Sequence, residues 1–362
     1  VIPRNLPAYV EDGGRRQVWR QPYRAQDATL LGLVLPAQPE MIDNLLDRDF
    51  NHPSGGAVRY RCAHPYALVV LAQIEQERSA EPPDSGRGYL PELELSIWCL
   101  AFDQTAGGRL VWYLPYVFTD SGQTVTTGRE VYGYPKQLGY FDAGFRSVFE
   151  DGDGRTTITS LAIAEFAENA KAEPKPMVTV HRAPGEPVPE TGDITSRARH
   201  NLFPGRLSDP PAREIVPDGP PPAATITVGN APPPPSSAAP PYVRPTLRWD
   251  ETVSRRDDQD LIVELAKSPT LAFLKQFRDV RCPTKACYQA VVEATISIRP
   301  LGAGITTLDP ELFTVTVQSW ATQPIAAELG IPRNEPVRPV RAFLAGLDFD
   351  VMTGLEVWRA PT

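Results

Sequence analysis

No apolar run in this chain approaches the roughly 18–20 residues that a membrane-crossing helix needs, so its sequence predicts no membrane partner. The first residues, Val1-Ile2-Pro3-Arg4-Asn5, lack the charged-then-apolar pattern of a secretory signal. The missing initiator Met reads as a trimmed start. No Gly-x-Gly-x-x-Gly follows a strand-like segment, which removes the usual signature of a dinucleotide cofactor. A basic excess is also absent: 36 Lys and Arg against 44 Asp and Glu leave a net charge of -8. No basic cluster is interleaved with aromatic residues, so nucleic acid is not an expected partner.

Histidine and cysteine are scarce, four of each in 362 residues. The histidines (His52, His64, His181, His200) are scattered through turn-like contexts. Cys282 and Cys287 are spaced one residue wider than the usual zinc pairs. Nothing supplies three or four ligands at a known spacing, so no metal is expected. With Cys62 and Cys99, the four cysteines fit a reducing compartment better than a disulfide framework, and cytoplasm is the expected location.

Proline is abundant. More than a third of the 40 prolines fall between residues 201 and 250, which excludes central strand or helix there and predicts extended, polyproline-like chain. Length allows one large domain or two ordinary ones, and the proline-rich stretch divides an N-terminal part, to about Val180, from a C-terminal part, from about Leu247. N-terminal to this stretch, strands are expected at Thr29 to Leu35, Tyr66 to Glu75, Leu93 to Ala101 and Leu110 to Phe118. Asp151-Gly152-Asp153-Gly154 predicts a hairpin turn joining strands Phe145 to Phe149 and Thr156 to Ile163. Short helices are expected at Glu40 to Leu46 and Asp257 to Lys267. Strands return at Tyr288 to Ile298 and Leu312 to Val317, with a last strand pair in Val340 to Trp358 around Met352-Thr353-Gly354.

One run stands out: Gly128-Arg129-Glu130-Val131-Tyr132-Gly133-Tyr134-Pro135-Lys136-Gln137-Leu138-Gly139-Tyr140. It sets Lys136 among aromatic and small residues, a setting for a desolvated amine. A lysine attacks a carbonyl only as the free amine, and at an ordinary pKa near 10.4 only about one in 2,000 is neutral at pH 7. Half-neutrality needs a downward shift of about three units, which burial can deliver. Gln137 brings no charge, so desolvation is expected to dominate. Tyr132, Tyr134 and Tyr116 are candidate walls of the cavity, or ordinary core. Strand alternation puts Glu92, Glu94 and Ser96 on one face and Leu93, Leu95 and Ile97 on the other, so the first face is either solvated or functional. Arg129 could fork onto a substrate carboxylate or form a structural ion pair with Glu130.

The run resembles the hallmark of the acetoacetate decarboxylase family, Gly-Arg-Glu followed by a short aromatic stretch and Pro-Lys-Lys-Leu-Gly-Tyr. The likeness extends to Leu90-Pro91-Glu92, to Phe273-Leu274-Lys275 and to Tyr288-Gln289-Ala290-Val291-Val292-Glu293. It implies a single domain over 1–362 with a proline-rich insert at 183–247, a mainly β (α+β) fold, a closed antiparallel β-barrel with a few peripheral helices, and a tendency to form homo-oligomers. It also implies a Schiff base between Lys136 and a small-molecule keto acid, Glu92 as an active-site carboxylate, and no cofactor or metal, because the protonated imine is itself the electron sink.

Three departures bear on substrate handling. Gln137 stands where a second lysine is expected, as an uncharged hydrogen-bond partner for substrate. The early arginine has Arg24 as its nearest candidate, while the alignment places Ala28 there. The second site acid is missing from Ala67 to Ala72. The expected activity is therefore a carbon–carbon lyase, either a decarboxylase or an aldolase-dehydratase of the same imine chemistry. The alternative is a non-catalytic barrel that binds a ligand or partner.

Overall fold

In the computed structural model, residues 6–11, 17–143, 145–149, 154–184 and 269–361 are described. The expected helix at 257–267, the turn residues 151–153 and all but the first two residues of the insert lie outside them.

The chain runs through β1 (Tyr23–Pro36), α1 (Pro39–Leu46), β2 (Tyr60–Ser79), β3 (Leu90–Asp103), β4 (Arg109–Thr119), α2 (Gly122–Val131), β5 (Lys136–Leu138), β6 (Tyr140–Phe141), β7 (Gly154–Ala162) and β8 (Glu173–Arg182). It continues with β9 (Thr270–Arg278), β10 (Ala286–Leu308), β11 (Phe313–Val317), α3 (Ile325–Leu329), β12 (Pro336–Val337), β13 (Arg341–Val351) and β14 (Leu355–Arg359). The molecule is mainly β, as expected, and helix α1 falls where the sequence places it. Proline at its first turn suits the missing N–H, and Ile42, Leu45 and Leu46 form its buried stripe.

The larger sheet has nine strands in the order β13-β1-β2-β3-β4-β9-β10-β14, with β5 on β4 and a further pairing of β13 with β10. The smaller sheet has the order β12-β11-β8-β7-β6. Two pairings depart from the antiparallel expectation: β4 runs parallel to β5 and to β9. The segment Phe145–Phe149 is a 3-10 turn and not the expected strand. The last two strands do not pair with each other; β13 lies along Ile296–Leu308 of β10, and β14 lies along Ala290–Glu293.

Period-two alternation sorts the larger sheet into two apolar layers. Leu31, Leu33, Val69, Leu71, Leu95 and Ile97 pack with Val178, Val180, Val315 and Val317 of the smaller sheet and with Leu46 and Leu329 of the helices. The opposite face carries Val70, Ala72, Trp98, Leu100, Trp112, Phe273, Val292 and Ala345. Each Val, Leu, Ile or Phe among them contributes about 1.5–3 kcal/mol on full burial. Strand β4 changes face part-way, because its register against β3 slips between the pairs Ile97–Tyr116 and Cys99–Tyr113. Leu114 and Pro115 absorb the slip, so Tyr113 and Tyr116 share the first layer while Val117 joins the second.

Candidate active site around Lys136

Helix α2 follows β4 directly. Its N-cap, Ser121, accepts a hydrogen bond from the Thr124 N–H, which satisfies one of the orphan donors of the first turn. At its other end the Gly128 carbonyl accepts from the N–H groups of Tyr132, Gly133 and Tyr134. The chain then turns at Gly133, which has φ +91 and lies so close to β9 that a Cβ would come within 2.6 Å of Lys275 Cα. Only glycine meets both conditions. Gly128 serves a different purpose: a Cβ there would be 3.1 Å from Lys136 Cδ, so its bareness makes room for the lysine stem.

Strand β5 then lies parallel to β4 with Lys136 opposite Val117, and alternation splits its residues. Lys136 turns to the second apolar layer and is 7% exposed. Its Nζ lies 2.8 Å from Glu92 Oε1 and 3.0 Å from Glu94 Oε2, both on β3. The Tyr134 ring lies 5.7 Å from Nζ and packs on Phe273 at 3.9 Å between centroids. Thr124 Oγ1 donates to Glu92 Oε1 at 2.9 Å, tying the helix to the same carboxylate.

A third carboxyl completes the group. Glu77 interacts electrostatically with both Glu92 and Lys136. Its Oε2 is buried and has no hydrogen-bond partner among the described residues. Burial, reinforced by the negative charge of Glu92, pushes Glu77 well above the usual carboxylate range. Burial also raises Glu94. For Glu92 burial acts in the same direction, but the Lys136 charge and the hydrogen bonds it accepts outweigh this and lower its pKa.

The sequence argument expected desolvation to strip the proton from Lys136, and the geometry reverses that. Burial does act to lower the Lys136 pKa, but Glu92, Glu94 and Glu77 together overcome it, and the amine is held well above its ordinary value. It rests as an ammonium between carboxylates. The deciding contribution is the charge on the β3 face, which the fold brings against Lys136.

The other expected site residues divide. Tyr134 lies beside Lys136. Tyr132 packs edge-on against Tyr134, but its hydroxyl donates to the Met352 carbonyl at 2.9 Å. Tyr116 lies in the opposite layer with its hydroxyl on Glu328. Gln137 turns away from Lys136 and accepts from Gln323 Nε2 at 2.8 Å. Arg129 is exposed and braces the β5 backbone, its guanidinium donating to the Lys136 carbonyl at 3.3 Å. Arg24 pairs with Asp350 at 3.0 Å.

Glu77 was missed because it sits beyond a bulge. The β2–β3 register shifts between Ile74 and Glu77, and the extra residue sends Glu77 to the same face as Ile74, against plain alternation. Separately, a concavity of about 700 Å³ lies on the smaller sheet, lined by Arg155, Thr157, Thr179, His181, Thr316 and neighbours, and shares no residue with the Lys136 group.

Comparison with solved structures bears on the architecture. Acetoacetate decarboxylase from Legionella pneumophila subsp. pneumophila str. Philadelphia 1 is similar at TM-score 0.52 and 10% identity, over 94% of this chain and 88% of that one. The fold is that of acetoacetate decarboxylase. A second acetoacetate decarboxylase structure matches at TM-score 0.50 and 11% identity, over 96% and 93% of the two chains. An acetoacetate decarboxylase-like enzyme from Sphingomonas wittichii RW1 matches at 0.50 and 13%, over 94% and 95%. At these identities the likeness is one of fold. No family model matches the chain, and no curated protein does. Within the acetoacetate decarboxylase fold of this chain, the Lys136 group lies where β3, β5 and α2 converge. No helix among the described residues is long and apolar enough to cross a membrane.

Proposed function

We propose that the protein is a Schiff-base-forming enzyme, a carbon–carbon lyase acting on a small-molecule keto acid through Lys136, either a decarboxylase or an aldolase-dehydratase. The observation that carries this reading is the buried Lys136 amine 2.8 Å and 3.0 Å from two carboxyls of different character. Environments that push paired carboxyls apart in pKa assign them different proton-transfer roles. Glu92, lowered and held by Thr124, is the permanent counter-ion. Glu94, raised, is the group that takes the ammonium proton.

The chemistry then balances without an outside acid. Glu94 accepts a proton from Lys136, and the freed amine attacks the carbonyl carbon to form a C–N bond. One proton of the attacking nitrogen moves to the former carbonyl oxygen, the proton on Glu94 adds to that hydroxyl, the C–O bond breaks to release water, and the resulting iminium is again paired with Glu92. Bond cleavage next to the iminium carbon gives an enamine, which an adjacent acid protonates. Glu77, whose pKa burial and Glu92 raise, is available as that acid. The proposal includes a single domain whose β13–β10 pairing closes the larger sheet into a barrel around this group, a homo-oligomeric assembly and a cytoplasmic location.

A second reading, a barrel that binds without catalysing, is favoured by one observation: an ammonium locked between carboxylates is unreactive as it stands. Incubation with acetoacetate, pyruvate and their methyl esters, borohydride reduction and peptide mapping separate the two. A mass increment on the Lys136 peptide is expected. No adduct with any member of the panel would establish the binding reading. Carbon dioxide release from acetoacetate, measured alongside, distinguishes decarboxylation from aldol chemistry.

A further inference from the structure

Helix α2 reaches Glu92 through a chain of hydroxyls with a definite direction. The Ser121 N–H donates to Thr119 Oγ1 at 3.2 Å, and Thr119 Oγ1 lies 3.0 Å from Thr124 Oγ1. Thr124 has one hydroxyl proton, and the ionised Glu92 Oε1 at 2.9 Å is a stronger acceptor for it than the Ser121 carbonyl at 3.0 Å. With that proton committed to Glu92, the Thr119–Thr124 contact is made by the Thr119 proton. The order is Ser121 N–H, Thr119, Thr124, Glu92, each donating to the next, and successive donors in such a chain strengthen one another. Both threonines are buried, out of reach of bulk water that could take their place.

Glu92 Oε1 is also the oxygen that meets Lys136 Nζ, at 2.8 Å. It accepts from an ammonium and from the end of the chain at once, and both contacts favour the anion. Glu94 lies 3.0 Å from the same Nζ and opposite Thr119 across the β3–β4 ladder, but the chain ends on Glu92. Two carboxyls at nearly equal distances from one ammonium thus differ in what else holds them. Their pKa values part in the corresponding directions, Glu92 down and Glu94 up. Resting on Lys136 as the imine-forming residue, we propose that Thr119 and Thr124 are positioning residues that select the base: they fix Glu92 as the counter-ion and leave Glu94 to take the Lys136 proton. They act through Glu92, and the bonds made and broken are those of imine formation already described.

Borohydride trapping of pyruvate on the Lys136 peptide of the full chain at pH 7 tests it in a background that lacks the base. Glu94→Gln alone is expected to label about 10²–10⁴-fold more slowly than the unaltered protein. Thr124→Val keeps the side-chain shape and removes the hydroxyl. A hydrogen bond to a charged acceptor biases its protonation by about tenfold or more, so Glu92 without that bond becomes a usable base. Added to Glu94→Gln, Thr124→Val should therefore raise the labelling rate by about tenfold, while Thr124→Ser, which keeps the hydroxyl, should not. A further Glu92→Gln should erase the gain. Thr119→Val in the same background should give a gain of the same sign, and it decides the question should Thr124→Val fail to fold. A merely structural role for the threonines would slow every variant further. The proposal is overturned, with Lys136 still the nucleophile, by any of three results: no gain from either valine, a gain that survives Glu92→Gln, or Glu94→Gln labelling at the unaltered rate. Absence of label from the unaltered protein with both pyruvate and acetoacetate removes the nucleophile itself and the proposal with it.

Discussion

Lys136 Nζ and Glu92 Oε1 are 2.8 Å apart, on strands β5 and β3, and helix α2 holds the contact from both sides. Gly128 leaves space for the lysine stem and Thr124 donates to the same Glu92 oxygen. Both partners are nearly excluded from water, with side chains 9% and 1% exposed. A pair in that position resists loss of either member, because the survivor keeps its desolvation cost without its partner.

Replacing Lys136 by Met should therefore destabilise the fold by about 3–5 kcal/mol at pH 8. The loss should shrink on acidification. In the variant, Glu92 no longer has the cation that lowers its pKa, so burial raises its folded pKa above the unfolded value. Such a group costs stability above the unfolded pKa near 4.5 and ceases to do so as pH falls below it. Urea denaturation at pH 8 and at pH 4.5 measures the difference. Equal losses at both would mean that the lysine contributes packing and no charge pairing. Adding Glu92→Gln to the variant should recover part of the stability at pH 8.

Much of this fold can be read from the chain, and the exceptions have definable causes. Alternation along Glu92 to Ile97 separates the carboxylate face from the apolar face, and β3 obeys it. The same rule fails at Tyr116 and at Glu77, each beyond a register slip that leaves no mark in local composition. The identity of Lys136 as the unusual residue follows from its neighbours in sequence, while its protonation does not, since the governing charges arrive from β2 and β3. Helix α2 escaped notice because Gly122-Gln123-Thr124-Val125-Thr126-Thr127-Gly128 is rich in poor helix formers. Ser121 capping and the Thr124–Glu92 contact hold it in place.

The proton-acceptor role of Glu94 carries a pH signature. Burial raises its folded pKa above the ordinary 4.5, so protonation at Nζ and at Glu94 together should shut the site off at a pH higher than a free carboxylate would. The rate of adduct formation with methyl pyruvate should fall on an acid limb whose midpoint lies above 4.5. In Glu94→Gln that limb should vanish and the rate at pH 7 should drop by about 10²–10⁴-fold, the usual contribution of a positioned general base. Stopped-flow trapping across pH 4 to 9 measures both. An unchanged limb in the variant would move the role to Glu77.

The turn at Gly133 sets the approach of Tyr134-Pro135-Lys136, and its tolerance can be separated into two contributions. Alanine at a left-handed position costs about 1–2 kcal/mol by itself. Gly107, with φ +70 and nothing within 4 Å of an added Cβ, isolates that contribution. At Gly133 the added Cβ would also meet Lys275 Cα at 2.6 Å, Cβ at 2.8 Å and N at 2.8 Å, so β9 or the turn must move. Gly107→Ala should cost about 1–2 kcal/mol in urea denaturation and leave Lys136 labelling unchanged. Gly133→Ala should cost more, by about 1–3 kcal/mol for forced displacement of packed groups, and should slow labelling because the shifted β5 pulls Nζ away from Glu92. Equal costs for the two variants would mean that the turn yields without disturbing β9. The close approach of Gly133 to Lys275 would then have no part in holding the lysine.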